Sequence, residues 1–194
     1  MVSLMKIRMA PEEISLLDAF ISCSARYLEF GSGGTTCLAA SKIRDWVISV
    51  DSSQDWLDRV ASSCAEHETY KQPTLIDVDI GRTKAWGYPD DQTTKPRWAT
   101  YHEAVWQRDE RAATADLFLI DGRFRVACFL QVVSRAAPGA LIAIHDFQRP
   151  EYQVVREFAR EIASARYLSV FQVEPGRDAD AVGAALKHYA TKPQ

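Results

Sequence analysis

The sequence predicts a doubly wound α/β fold, a mostly parallel sheet with helices on both faces. Three observations carry this. Short runs that are apolar throughout, such as ARYLEFG, WVISVD and ADLFLIDG, alternate with longer stretches whose apolar residues recur at helical spacing. Strands apolar on both sides need cover on both faces, which helices flanking a parallel sheet supply. The first strand also runs straight into a glycine-rich turn, YLEFGSGGTT, residues 27–36.

The elements follow in order. PEEISLLDAFIS begins with Pro11 and two acids, as a helix N-terminus should, and sets Ile14, Leu17 and Ile21 on one stripe. ARYLEFG is the first strand and GTTCLAASKIR the helix after it. WVISVD is the second strand, and the helix following it places Trp56, Val60 and Cys64 on one face. PTLIDVD is the third strand and ADLFLIDG the fourth. RVACFLQVVSRAAP sets Val126, Phe129, Leu130 and Val133 at helical spacing until Pro138-Gly139 ends it. ALIAIHDF is the fifth strand, and Pro150 opens a helix carrying Val155, Phe158, Ala159 and Ile162. The tail is expected to form an antiparallel pair from YLSVFQVE and AVGAALKHY, joined by PGRDAD, a link too short for a helical crossover.

At 194 residues the chain is the size of one domain, spanning 1–194, with an N-terminal helical segment in 1–24. A net charge of -3 supplies no general attraction for a polyphosphate backbone, so nucleic acid is not expected as a partner. MVSLMKIRMA lacks the pattern of an export signal and no apolar run is long enough to span a bilayer, so the expectation is a cytoplasmic protein without a membrane partner. Cys23, Cys37, Cys64 and Cys128 are widely spaced and read as reduced thiols. Residues 80–115 break the rhythm: Trp86, Tyr88, Trp98, Tyr101, His102 and Trp106 stand among Gly, Pro and charges in a connection of unusual length. The segment reads as a lid or substrate-binding loop, or as a helix and loop packing its aromatics inward.

In such a sheet the ligand crevice lies at the carboxyl ends of the strands, beside the first one. Gly31 and Gly33 are read as allowing positive φ and close backbone approach, and the following helix N-terminus favours an anionic group. Asp51 ends the second strand, 20 residues after Gly31, where a carboxylate accepts both hydroxyls of a ribose. A dinucleotide fingerprint would need glycine where Thr36 stands, which weakens a nicotinamide reading. Glu29 suits instead a cofactor bearing an amino group.

YLEFGSGGTT, VISVD, LIDVDIG, ADLFLIDG and PGALIAIHDF, in this order over residues 25–147, resemble the class I S-adenosylmethionine-dependent methyltransferases. The resemblance implies a Rossmann-like, seven-stranded sheet with one antiparallel strand near its C-terminus. It implies that Glu29, Gly31, Ser32 and Gly33 hold the methionine end of S-adenosylmethionine, Asp51 and Ser52 the ribose, and Asp79 with Ile80 the adenine.

Asp121 ends the fourth strand and His145-Asp146 the fifth, so all three are expected beside the donor. The chain resembles metal-dependent small-molecule O-methyltransferases there, with His145 where an acid is usual. Three readings stand: Asp121, His145 and Asp146 bind a divalent metal; His145 is a general base without metal; or Asp146 caps the turn before Pro150 and His145 is a satisfied polar residue. Arg123, Arg125 and Arg149 could grip an anionic acceptor or hold loops by ion pairs, and His102 could reach the crevice. The expected function is methyl transfer to a small-molecule hydroxyl, with a homodimer compatible. The alternatives are an NAD(P)-dependent oxidoreductase and a non-catalytic cofactor-binding or scaffold protein.

Overall fold

The computed structural model describes residues 5–67 and 71–193; positions 1–4, part of the predicted N-terminal segment, lie outside it. Seven strands form one sheet: β1 (Arg26–Phe30), β2 (Trp46–Asp51), β3 (Thr74–Asp77), β4 (Leu117–Ile120), β5 (Leu141–Ile144), β6 (Arg160–Ala165) and β7 (Leu168–Gln172), in the order β3-β2-β1-β4-β5-β7-β6. The first five are parallel, and β7 runs antiparallel to both β5 and β6. The strand order reverses between β1 and β4, so the crevice expected at that switch point opens above their carboxyl ends.

Among the described residues six α-helices cover the sheet: α1 (Pro11–Ser22), α2 (Gly34–Lys42), α3 (Gln54–Ala65), α4 (Thr100–Arg108), α5 (Arg125–Arg135) and α6 (Ala179–Tyr189). Because strand side chains alternate between faces, Leu28 and Phe30 of β1 join the core under α4, α5 and α6. Tyr27 points the other way, into the core beneath α1 and α2. Glu29 shares the face of Tyr27, and this one fact of period decides its surroundings, as shown below.

The C-terminal third departs from the sequence reading. AVGAALKHY is helix, not strand: Asp178 caps it by accepting from the N–H groups of Asp180 and Ala181, and Val182, Ala185, Leu186 and Tyr189 pack at helical spacing against the α5 side of the core. The antiparallel partner of β7 is instead β6, in a stretch where the end of a helix was expected. That helix is a 3₁₀ helix over Pro150–Glu157, and Ile162 sits in β6 with 38% exposure. Strand β6 alternates exposed and half-buried residues, as an edge strand does, and Arg166 at φ 51 turns it sharply into β7.

Residues 80–115 pack most of their aromatics inward and leave one outside. Trp98, Tyr101, Ala104 and Val105 are core residues, whereas Trp86 is 70% exposed at φ 65, a conformation bulky side chains rarely adopt.

Candidate functional site

The turn after β1 is shaped by crowding. Gly31 has φ 101, and a side chain there would strike the backbone of Gly122, its Cβ only 2.5 Å from the Gly122 nitrogen. Gly122 in turn faces Tyr101, whose hydroxyl would lie 1.9 Å from an added Cβ. The ends of β1 and β4 thus meet with no room for a methyl group. Gly33 differs from its reading, with extended backbone at φ 170, and an added Cβ would meet nothing within 4 Å. The third glycine, Gly34, is the constrained one, because the N-terminal arm crosses it: an added Cβ would lie 2.5 Å from the carbonyl oxygen of Met5.

Glu29 holds this turn from below and does not reach the ligand side. It is fully buried, accepting from the hydroxyls of Tyr27 (2.7 Å), Ser49 (2.8 Å) and Thr36. The Thr36 hydroxyl itself accepts from the Gly33 N–H at 2.9 Å, so a relay runs from the turn backbone to the carboxylate. Burial pushes the Glu29 carboxyl up to about 7 despite the hydroxyls of Thr36, Tyr27, Ser49 and Thr35, which lower it.

Above the turn lies a cavity of about 770 Å³. Its floor includes Gly31 to Thr35, Asp51 to Ser53, Asp121, Gly122, His145 and Asp146. Asp51 accepts from the backbone N–H groups of Ser32 (3.0 Å), Ser52 (2.7 Å) and Ser53 (3.1 Å), yet burial raises it to about 6. The Trp56 indole donates to the Ser32 carbonyl at 2.6 Å and fixes the wall between them. The roof comes from two segments that no sequence pattern links. The arm contributes Lys6, Ile7 and Arg8, and the long connection contributes Thr83, Lys84, Trp86, Gly87 and Tyr88. The guanidinium of Arg8 lies over the Trp86 ring at 5.0 Å, so the two segments meet.

At the other end the strand-end residues converge as expected. His145 Nδ1 is 3.0 Å from Asp121 Oδ1, and Nε2 is 3.5 Å from Glu13 Oε2 of α1, the latter beyond the usual range of a strong hydrogen bond. Burial lowers the basicity of His145, but the hydrogen bond and charge of Asp121, with Asp146, outweigh it and raise its pKa. Burial likewise pushes Asp121 up, while Arg125, His145 and Arg123 outweigh it and hold the carboxyl down.

The trio does not fit a metal. Arg125 stands between the two carboxylates, 3.1 Å from Asp121 and 3.3 Å from Asp146, and donates to the carbonyls of Gly122, His145 and Asp121. A cation already fills the place where the carboxylates approach. Among the described residues no group of three His, Cys, Asp or Glu side chains is placed to share an ion.

Four other predicted residues lie elsewhere or are otherwise engaged. Asp79 is exposed on the outer surface, paired with Arg97 and accepting from the Gly81 N–H, while Ile80 is buried in the core. Neither borders the cavity, because the chain after β3 turns its apolar side chains under Trp98 and Tyr101. His102 is buried on the far side, between Gln131 and the Ala190 carbonyl at 3.0 Å each, and burial lowers it to about 4. Arg125, though it lines the cavity, is committed to the loop carbonyls just described. Arg123 and Arg149 do line the cavity, Arg149 donating to Asp146 at 2.7 Å.

No family model and no curated protein sequence matches the chain. Its structure matches that of a methyltransferase-like protein from Silicibacter pomeroyi with a TM-score of 0.87 and 28% identity, covering 97% of this chain and 98% of that one. An O-methyltransferase from Bacillus cereus, solved with S-adenosylhomocysteine, matches at 0.57 and 14%, covering 86% and 82%. The O-methyltransferase of tomaymycin synthesis from Streptomyces achromogenes, solved with S-adenosylmethionine, matches at 0.55 and 15%, covering 86% and 81%. The strand order, the antiparallel β7 and these whole-chain matches give the chain the fold of the class I S-adenosylmethionine-dependent methyltransferases.

Proposed function

We propose that the cavity binds S-adenosylmethionine and that the protein transfers its methyl group to a hydroxyl of a small molecule. One observation carries the reading: Asp51 and the open side of Gly33 border the same cavity as the His145–Asp121 pair. The space over Gly33 at the N-terminus of α2 suits the cofactor's carboxylate, and Asp51 with Ser52 suits its ribose hydroxyls. Gly31 and Ser32 shape the turn, and Glu29 acts indirectly, by holding it through Thr36.

His145 is the group suited to take the proton. Its Nδ1 is held by Asp121, and the looser contact of Nε2 with Glu13 leaves that atom the more available. In the transfer the acceptor oxygen attacks the methyl carbon, the carbon–sulfur bond breaks with its electrons going to sulfur, and the hydroxyl proton passes to His145. S-adenosylhomocysteine leaves. Asp146 and Asp121 anchor Arg125 and so keep both loops in place, which makes them positioning residues. No metal is needed in this scheme.

Calorimetric titration with S-adenosylhomocysteine tests the reading, with wild type compared to Asp51→Asn. Binding by the wild type and a loss of about tenfold or more in the variant is the expected result, as for a hydrogen bond to a charged group. A folded wild type that takes up NADH and not S-adenosylhomocysteine would replace this function with the oxidoreductase alternative.

A further inference from the structure

The lining of the cavity is far more cationic than the chain as a whole. The protein carries a net charge of -3, yet six cationic side chains, Lys6, Arg8, Lys84, Arg123, Arg125 and Arg149, border the cavity against the carboxylates Asp51, Asp121 and Asp146. Arg125 and Arg149 are committed to Asp121 and Asp146. Asp51 lies on the floor, where its carboxylate accepts from the backbone N–H groups of Ser32, Ser52 and Ser53.

Three of the other four cations gather on one short stretch of chain, residues 84–88. Arg8 lies over Trp86 at 5.0 Å and Arg123 over Tyr88 at 4.3 Å, while Lys84 belongs to the stretch itself. Lys84 has only a 3.4 Å contact with Asp90, which Arg82 binds more closely at 2.6 Å. Arg123 is buried to 6% exposure, so its charge sits in the cavity wall, where water screens it less than at an open surface. The stretch also lies close over the site: Gly87, at φ 71, would set an added Cβ 3.6 Å from Arg123 and 3.9 Å from Ser52. A guanidinium stacked over an aromatic face can still turn its N–H edge to a bidentate partner.

We propose that the acceptor carries a carboxylate or phosphate, bound under residues 84–88 by Arg8, Lys84 and Arg123, with Trp86 and Tyr88 flanking it. This rests on the methyltransferase reading and places the anion site at the roof, away from Arg125. The hydroxyl to be methylated then extends from that anchor toward His145.

Nuclear magnetic resonance titration tests it, with S-adenosylhomocysteine present in excess so that the cofactor's own carboxylate site is filled. The probes are benzoate, its neutral isostere benzamide, and inorganic phosphate, read on the Trp86 indole and the arginine side-chain N–H signals. Benzoate or phosphate shifts these signals and benzamide does not; whichever anion binds tighter identifies the anchor as carboxylate or phosphate. Arg8→Gln with Lys84→Gln weakens the anion by roughly tenfold, since two charge-assisted contacts are lost, and leaves the affinity for S-adenosylhomocysteine unchanged. Equal binding of benzamide, anion binding indifferent to the double substitution, or weakened S-adenosylhomocysteine with unaltered anion binding would each overturn the proposal. Absence of S-adenosylhomocysteine binding by the wild type fails the cofactor reading instead, and the anion titration is then read without it.

Discussion

Gly122→Ala probes the closest packing at the site. The added Cβ would sit 1.9 Å from the Tyr101 hydroxyl oxygen and 3.0 Å from the Tyr101 Cζ and Gly31 nitrogen. Tyr101 cannot swing away freely: it is 2% exposed, packs its ring 5.6 Å from Phe124 and 6.5 Å from Phe30, and its hydroxyl accepts from the Arg123 backbone N–H. Overpacking of this kind costs about 1–3 kcal/mol. Tyr101→Phe removes the oxygen in collision and by itself costs about 0.5–1.5 kcal/mol for the lost hydrogen bond. Once Tyr101→Phe is in place the nearest atoms stand at 3.0 Å, so Gly122→Ala needs shifts of only a few tenths of an ångström. The double variant is therefore expected to be more stable than the sum of the singles by about 1–2 kcal/mol. Urea unfolding of the four proteins measures this coupling. Additivity within about 0.5 kcal/mol would refute the claim that Tyr101 closes the floor between β1 and β4.

Further outcomes follow from the same geometry. Gly31→Ala, at φ 101 against the Gly122 backbone, should be strongly destabilising, whereas Gly33→Ala should fold normally in thermal unfolding and weaken cofactor binding by filling open space. Glu29, raised from 4.5 to about 7, binds a proton in the folded state that the unfolded chain releases, so its stabilising effect is full below pH 4.5 and lost as pH rises through 7. The loss is about 3 kcal/mol, and Glu29→Gln should remove that part of the pH slope in urea titrations at pH 5 and pH 8; an unchanged slope contradicts the assignment. His145 should titrate above 6.5 by carbon-detected imidazole shifts, and Asp121→Asn should lower that value because the partner holding the imidazolium is gone.

The parallel half of the fold was legible because buried strands of one kind, apolar throughout, admit few alternatives. The C-terminal third was not, since AVGAALKHY is short and rich in alanine, and its helical state depends on the Asp178 cap and on a groove supplied by α5. Within the site, residues at strand ends were placed by topology alone: Asp51, Asp121, His145 and Asp146 all reach one cavity. The orientation of Glu29 is not legible from the strand end alone: the period of two that buries Tyr27 turns Glu29 to the same side, beneath α2. The exposed place of Asp79 is not legible either, because the chain leaves the sheet after Asp77 and its direction from there is set by packing under Trp98 and Tyr101. The arm residues Lys6 and Arg8 carry no local signal at all; only the glycine at position 34, with Met5 lying across it, marks where they cross.

The functional reading stands on a nucleoside cofactor lying over the turn after β1, with Asp51 on its ribose. A crystal structure with S-adenosylhomocysteine would locate that ligand outright. Ribose hydroxyls within hydrogen-bond distance of Asp51 and the amino-acid end over Gly33, with Glu29 untouched beneath, are the expected result. A ligand bound elsewhere, or a nucleoside lodged against Asp79 outside the cavity, would contradict it.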